Sequence, residues 1–310
     1  MRFHGGAPKG ARADFSTNLN ALGPPGFLLR SLRRAPLSRY PDPEYTELRA
    51  LLGTPERVAV GAGASELIHR LVAAFKGPVA LLAPAFGEYA EAARVRGERV
   101  LLANDEEGFL RAMKEARLGF LASPNNPDGR VFDAEFLKKA AEADGLLVLD
   151  LAYAPLSEVP VYLPKGAVRL YSPNKAFALP GVRAGYAAFP EARLAERVRR
   201  LAPSWVLSAT GEAFLRLSRE KAAEDWLSST RPRLFSWRRA LAKGLKRRGF
   251  SVIEGRANFL MARLGEKTIE RLLEAGVWVR PLFDKGLPDW ARLSAQGPKA
   301  RRALWEVLGG

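Results

Sequence analysis

The sequence predicts an α/β fold, with a large, mostly parallel sheet domain followed by a smaller α+β domain. Between about residues 38 and 200, short apolar runs alternate with amphipathic stretches, as a parallel sheet covered by helices requires. After Pro203 the texture changes to helices. At 310 residues and 47% hydrophobic, the chain can bury a full core of this kind.

The candidate strands of the large sheet are Arg57–Val60, Val79–Leu82, Arg99–Leu102, Leu118–Ala122, Leu146–Asp150, Val168–Tyr171 and Ala184–Phe189. Ser65–Phe75, Phe86–Arg96 and Ala134–Ala143 carry apolar residues at three-to-four spacing, which predicts helices, and Asp133 is placed to cap the last. Further helices are expected at Gly211–Arg219, Ala222–Leu227 and Pro232–Arg248, the last opened by its proline. Phe250–Glu254, Phe259–Arg263, Ile269–Ala275, Val277–Arg280 and a final helix Pro298–Leu308 complete the smaller part. The first residues, rich in Gly and Pro, read as an arm. The expected division is an arm over 1–37 joining the small domain, a large domain over 38–200 and a small domain over 201–310.

Composition narrows the chemistry. There is no cysteine, and with only His4 and His69 a thiolate or histidine-rich metal centre is excluded. The formal charge of +16 is spread along the chain. Clusters such as Arg197, Arg199 and Arg200, or Lys246, Arg247 and Arg248, sit among leucines and alanines, as on a solvated helix face. No zinc-finger spacing, helix-turn-helix signal or aromatic-basic motif points to a nucleic-acid partner. No apolar run approaches the roughly 20 residues that span a bilayer, and the amino terminus lacks the apolar stretch of a signal peptide. A cytoplasmic protein with no membrane partner is expected.

The most informative stretch is Ser172-Pro-Asn-Lys-Ala-Phe-Ala-Leu-Pro-Gly-Val-Arg-Ala-Gly-Tyr186. A lysine acts as a Schiff-base nucleophile when its surroundings lower its pKa or hold an aldehyde against it. Ser172 and Arg183 are spaced to grip a phosphate while Lys175 bonds a nearby carbon. Asp150 closes the apolar run Leu-Leu-Val-Leu, at the carboxyl end of a strand, where open α/β sheets place ligands. Gly61-Ala-Gly-Ala-Ser65 follows a strand and opens a helix, so Ala64 and Ser65 can offer free N–H groups and a hydroxyl to an anion. Arg280 and Arg292 each end or interrupt a short apolar run, and arginine's planar fork suits carboxylate and phosphate.

The lysine string resembles the signature of fold-type-I pyridoxal-phosphate enzymes, Ser-x-x-Lys followed by Gly-x-Arg-x-Gly-Tyr. The resemblance implies pyridoxal 5'-phosphate as cofactor, with Lys175 and Asp150 as the catalytic pair. In Ser123-Pro-Asn-Asn-Pro-Asp-Gly129, similar to the family's Asn-Pro-x-Gly loop, Asn126 would donate to the ring oxygen, with Tyr153 as a second contact and Phe86 over the ring face. Ser65, Ala64, Ser172 and Arg183 would form the phosphate cradle.

From Asp14 to Arg292 the chain resembles the branch that contains histidinol-phosphate aminotransferase and threonine-phosphate decarboxylase. The amino-terminal His4-Gly-Gly and Asp14-Phe-Ser-Thr-Asn-Leu-Asn-Ala-Leu-Gly are similar to the decarboxylase's elements. Arg39-Tyr-Pro-Asp-Pro43 occurs in both groups, and there the tyrosine reaches the partner subunit's cofactor phosphate, so Tyr40 implies a homodimer. His4, Asn18, Asn126, Arg280 and Arg292 would hold a small phosphorylated amino-acid substrate. The resemblance thus implies decarboxylation of O-phospho-L-threonine in cobalamin biosynthesis, with histidinol-phosphate transamination as the alternative. The family's Asp-Glu-Ala becomes Asp150-Leu-Ala, the asparagine after His-Gly-Gly is Ala7, Asn-Pro-Thr-Gly becomes Asn-Pro-Asp128-Gly, and Asn174 replaces a hydroxyl residue before the lysine. The segment between Leu102 and Leu118 is short for this fold.

Overall fold

The computed structural model of the chain describes residues 5–309. β1 (Ala13–Asp14), α1 (Gly26–Leu32) and α2 (Thr46–Leu52) precede a seven-stranded sheet. Its strands are β2 (Val58–Gly61), β3 (Val79–Leu82), β4 (Val100–Ala103), β5 (Leu118–Ala122), β6 (Leu146–Asp150), β7 (Val168–Tyr171) and β8 (Gly185–Ala188). Between them run α3 (Ala64–Ala74), α4 (Gly87–Val95), α5 (Glu106–Glu115) and α6 (Ala134–Glu142). Across the sheet the order is β2-β8-β7-β6-β5-β3-β4. Neighbours from β7 to β4 are parallel, and β8 alone runs against both of its neighbours. The carboxyl ends of β2, β3, β5, β6 and β7 therefore share one edge.

These strands are legible because both faces are covered. Val79 and Leu81 join Leu71 and Phe120 in one core, while Ala80 and Leu82 join Phe109 and Leu149 in another. That alternation leaves no polar face, so each strand reads as an unbroken apolar run. Each fully buried leucine contributes about 1.5–3 kcal/mol, which fixes the register.

After the sheet come α7 (Ala192–Arg199), α8 (Ala209–Leu217) and α9 (Lys221–Arg247). Then follow β9 (Ser251–Glu254), β10 (Phe259–Arg263), α10 (Glu266–Glu274), β11 (Val277–Trp278), β12 (Arg280–Leu282), β13 (Leu287–Ser294) and α11 (Pro298–Leu308). β12-β13-β10-β9 form an antiparallel sheet, and β1 pairs in parallel with β11. That pairing carries Phe15 into a fully buried position against Leu241, Leu260 and Leu293, so the amino-terminal segment supplies a core residue as well as an arm.

Three expectations need correction. The two helices foreseen at Ala222–Leu227 and Pro232–Arg248 are one helix, α9, with Pro232 inside it. Its early residues Leu227 and Leu234 pack with Val58, Val60 and Phe214, and its later Leu241 and Leu245 pack with Leu260. Burial at both ends outweighs the roughly 3 kcal/mol that an interior proline costs. α9 thus joins one core through Leu234 and a second from Leu241 onward. The short 102–118 segment holds α5, whose first turn is capped by Asp105 accepting from the Gly108 amide at 2.6 Å. Val277–Arg280 is broken at Val279 into β11 and β12, and β13, which the sequence did not announce, lies between β12 and β10. Finally, two arginines read as solvated surface are partly committed. Arg197 donates to the Ala74 carbonyl at 2.6 Å and lies over the Phe75 ring, and Arg199 donates to the Glu56 carbonyl at 2.7 Å.

Candidate active site

At the shared carboxyl edge a cavity of about 570 Å³ opens between the two sheets, and a deeper recess of about 50 Å³ continues it downward. Lys175, Ser65, Phe86, Asn126, Tyr153 and Arg183 line both. Asp150, Ala64 and Ser172 line the recess, while Asn18, Arg280 and Arg292 line the outer cavity. The fold thus brings together all of the residues expected at the site except two. Tyr40 is 75% exposed and stacks on Trp205 at 4.4 Å between ring centroids, outside this chain's cavity. His4 lies outside the described residues.

Asp150 ends β6 and is buried. Its Oδ2 accepts from the Tyr89 hydroxyl at 2.8 Å and its Oδ1 from the Ala152 amide at 2.9 Å. Burial pushes its carboxyl above the usual carboxylate range, opposed by the charge of Lys175 and by those two donors. Lys175 lies in the loop after β7, with its ammonium 5.3 Å from the Tyr153 ring centroid. Tyr153 packs edge-on against Phe259 and receives a long hydrogen bond, 3.4 Å, from the Asn18 amide. Phe86 is the N-cap residue of α4, which turns its ring toward the cavity from above β3.

The space where a phosphate is expected is shaped by glycine. A Cβ on Gly63 would lie 2.8 Å from the Arg183 guanidinium, and one on Gly185 would lie 2.8 Å from the Tyr171 carbonyl and 3.2 Å from the Gly63 carbonyl carbon. Gly63 also has φ 96°, a left-handed value that favours glycine just ahead of α3. These close approaches set the α3 amino terminus and Arg183 around one space, where helix N–H groups and a guanidinium suit an anion. Ser172 donates to Asn174 at 2.7 Å, so the asparagine that replaces a hydroxyl residue fixes this rotamer. Asp128, the other departure, accepts from the Asn125 side chain at 3.0 Å and from the Arg130 amide at 3.1 Å, which closes the loop around Asn126.

The arginines come from the smaller sheet. Arg280 and Arg292 stand directly opposite each other on β12 and β13, and both are buried. Arg292 donates to Asn126 Oδ1 and to the Ser16 carbonyl, each at 2.6 Å. Arg280 pairs with Asp284 at 2.8 Å. Like charges on facing strand positions destabilise a sheet, and the Asp284 carboxylate offsets that cost at Arg280.

The observations fit pyridoxal 5'-phosphate. A buried carboxylate lies at the bottom of the recess for a ring nitrogen, an aromatic faces it, an amine stands beside it, and a glycine-lined cradle can take the phosphate. Asn18 Oδ1, in a residue that lines the cavity, is buried with no hydrogen-bond partner among the described residues, as a polar group awaiting a ligand would be.

The model for aminotransferases of class I and II matches residues 28–303. The chain belongs to that family. A histidinol-phosphate aminotransferase from an Anaeromyxobacter strain is 33% identical over 96% of this chain and 91% of its own length. A protein described provisionally as a threonine-phosphate decarboxylase, from Caldanaerobacter subterraneus, is 30% identical over 95% of this chain and 89% of its own. The crystal structure of histidinol-phosphate aminotransferase from Sinorhizobium meliloti, in complex with pyridoxal 5'-phosphate, superposes with a TM-score of 0.87 at 24% identity, covering 96% of this chain and 91% of that one. The fold of this family member is therefore fold type I, and pyridoxal 5'-phosphate is the family's cofactor.

Three residues escaped the sequence reading. Tyr89 was hidden because it falls on the buried face of an amphipathic helix, where an aromatic reads as core. Asn258, fully buried, donates to the Leu19 carbonyl at 3.1 Å and ties the Asn18 segment to β10. Asn125, next to Asn126, donates to the Pro84 carbonyl at 3.1 Å and holds two site loops together.

Proposed function

We propose that this chain is a pyridoxal-phosphate-dependent lyase that decarboxylates O-phospho-L-threonine to (R)-1-aminopropan-2-yl phosphate and carbon dioxide, acting as a homodimer. One observation carries the choice within the family. The glycine pair that follows His4 packs on Ser16 beside the cavity: Gly5 lines it, a Cβ on Gly5 would lie 2.3 Å from the Ser16 carbonyl oxygen, and the Gly6 amide donates to Ser16 Oγ at 2.8 Å. The amino-terminal motif that resembles the decarboxylase is thus built against the Asp14–Asn18 segment, beside Arg292.

When bound, pyridoxal 5'-phosphate supplies an electron sink for charge developing on the substrate's α-carbon. Asp150 would hold a proton on the pyridine nitrogen, and the two donors that fix its carboxylate set the position of that proton. Lys175 would anchor the cofactor and later return a proton from its Nζ to the substrate carbon. Arg292 would take the substrate carboxylate and Arg280 the phosphate. The arginines would select decarboxylation by how they orient the substrate carboxylate against the bound cofactor. Tyr40, exposed on its own chain, would reach the cofactor phosphate of the partner subunit.

The second reading, histidinol-phosphate transamination, is favoured by the 33% identical relative. Cofactor-loaded protein given O-phospho-L-threonine without an oxo acid should release aminopropanol phosphate, read by mass spectrometry. Turnover of histidinol phosphate alone, and only with added 2-oxoglutarate, would reject the decarboxylase. Borohydride reduction of the cofactor-loaded protein should mark Lys175, and Lys175→Ala should give no stoichiometric adduct on another lysine.

A further inference from the structure

Beyond the two arginines, a third cation reaches the outer cavity. Lys285 follows β12 in the short turn Phe283–Lys285, and its side chain is only 18% exposed. A surface lysine ordinarily keeps its ammonium in water while its stem lies on the protein. Here the ammonium faces inward: a Cβ placed on Gly87 at the start of α4 would lie 3.1 Å from Lys285 Nζ. The side chain therefore crosses the cavity mouth from the small sheet to the large one.

Its charge is poorly matched. Six cationic side chains and three carboxylates line the cavity among the described residues. Of the carboxylates, Glu91 is bonded to Arg94 at 2.9 Å, and Glu88 faces His69 at 3.7 Å. Asp284 is left opposite Arg280, Arg292 and Lys285. It lies 2.8 Å from Arg280 but 3.9 Å from Lys285, and Lys285 makes no hydrogen bond among the described residues. The hydrogen bonds of Arg292 go to neutral oxygens, from Nη1 and Nη2, and its buried Nε has no partner among the described residues. Burial holds the Lys285 ammonium below the ordinary lysine value; Asp284 opposes that shift, and the charges of Arg280 and Arg292 add to it. A half-buried ammonium with three unmet donors, beside two buried guanidiniums, is a site for more than one negative charge.

We propose that Lys285 is a specificity-determining residue of the substrate site, binding with Arg280 the doubly charged phosphate monoester of the substrate while Asp284 is its counter-ion in the ligand-free protein. This rests on the reading that the substrate is a phosphorylated amine. A carboxylate bearing one charge is already served by Arg292. The second and third charges of a phosphoamino acid would fall to Arg280 and Lys285, and a substrate without the phosphate would leave Lys285 with Asp284 alone, 3.9 Å away.

Two measurements on the cofactor-loaded enzyme test it. In the first, inorganic phosphate is titrated into wild type, Lys285→Met and Lys285→Arg by calorimetry, the cofactor's own phosphate site being filled. Affinity should fall about 10- to 100-fold in Lys285→Met and recover in Lys285→Arg. In the second, KM and kcat are compared for O-phospho-L-threonine and L-threonine. Lys285→Met should raise KM for the phosphorylated substrate by a similar factor, with kcat and the constants for L-threonine within about twofold of wild type. Equal losses on both substrates, unchanged phosphate affinity in Lys285→Met, or no phosphate binding by wild type would each overturn the assignment. Should wild type turn over no phosphorylated amine, the functional reading fails, and the phosphate titration still decides the role of Lys285.

Discussion

Tyr89→Phe removes one oxygen and tests how Asp150 is held. The hydroxyl donates to Asp150 Oδ2 at 2.8 Å, while the ring packs edge-on against Phe86 and stacks on Phe120 at 4.8 Å between centroids. Phenylalanine keeps those ring contacts, so the loss is confined to the hydrogen bond. A bond from a neutral donor to a buried carboxylate contributes about 1.5–3 kcal/mol, and about 2 kcal/mol corresponds to roughly a 30-fold change in an equilibrium. Burial already raises the Asp150 carboxyl, so losing the donor should raise it further. Near neutral pH the cofactor-free variant should melt roughly 4 °C below wild type, and its cofactor affinity should fall about 30-fold. The difference in melting temperature should shrink at acidic pH, where Asp150 is protonated and needs the donor less. Thermal melts across pH and an absorbance titration with cofactor read both effects. A melting difference that is the same at every pH, with unchanged cofactor affinity, would show that the Tyr89 hydroxyl supports the fold and not the charge of Asp150.

Asp150→Asn addresses the same carboxyl by linkage. A carboxyl whose folded pKa is raised binds its proton more tightly in the folded state, so its contribution to stability is complete below the unfolded value and is lost as pH rises through the folded one. The cofactor-free protein should therefore lose stability as pH climbs out of the ordinary carboxylate range, and Asp150→Asn should flatten that slope in urea titrations; an unaltered slope would assign it to other groups. Gly185→Ala should lower the melting temperature and weaken cofactor binding, because its Cβ would meet backbone at 2.8 Å on one side and 3.2 Å on the other, an overpacking cost of about 1–3 kcal/mol. A variant with wild-type melting and affinity would refute that packing argument. Pro232→Ala should restore the missing helical donor inside α9 and stabilise the fold by about 2 kcal/mol, the helix gain less the added freedom of the unfolded chain; a lower melting temperature would mean that the proline is needed where it stands.

The parts of the fold legible in the sequence are those where one physical cause dominates. β3, β5, β6 and β7 were found at their observed bounds because strands buried on both faces leave apolar runs. The small sheet was harder. β13 begins Leu-Pro-Asp, which reads as a turn, and its pairing with β12 is irregular between Pro281 and Leu282, so neither alternation nor turn chemistry announced it. α9 was divided at Pro232 because a local rule was applied where two separate cores override it. At the site, Lys175, Asp150 and Asn126 carried motifs that survive without structure. Tyr89 and Lys285 did not, since their roles come from what the fold sets opposite them: a carboxylate, and two arginines on facing strands.

Decarboxylation and transamination part at a single bond of the substrate, so the most direct test uses O-phospho-L-threonine carrying deuterium on its α-carbon, given to the cofactor-loaded protein in ordinary water without an oxo acid. The account predicts one carbon dioxide for each aminopropanol phosphate formed, with the deuterium kept in the product. Loss of the deuterium to solvent, with an oxo acid formed and no carbon dioxide, would show that the arginines present the C–H bond instead, and the decarboxylase assignment would be wrong.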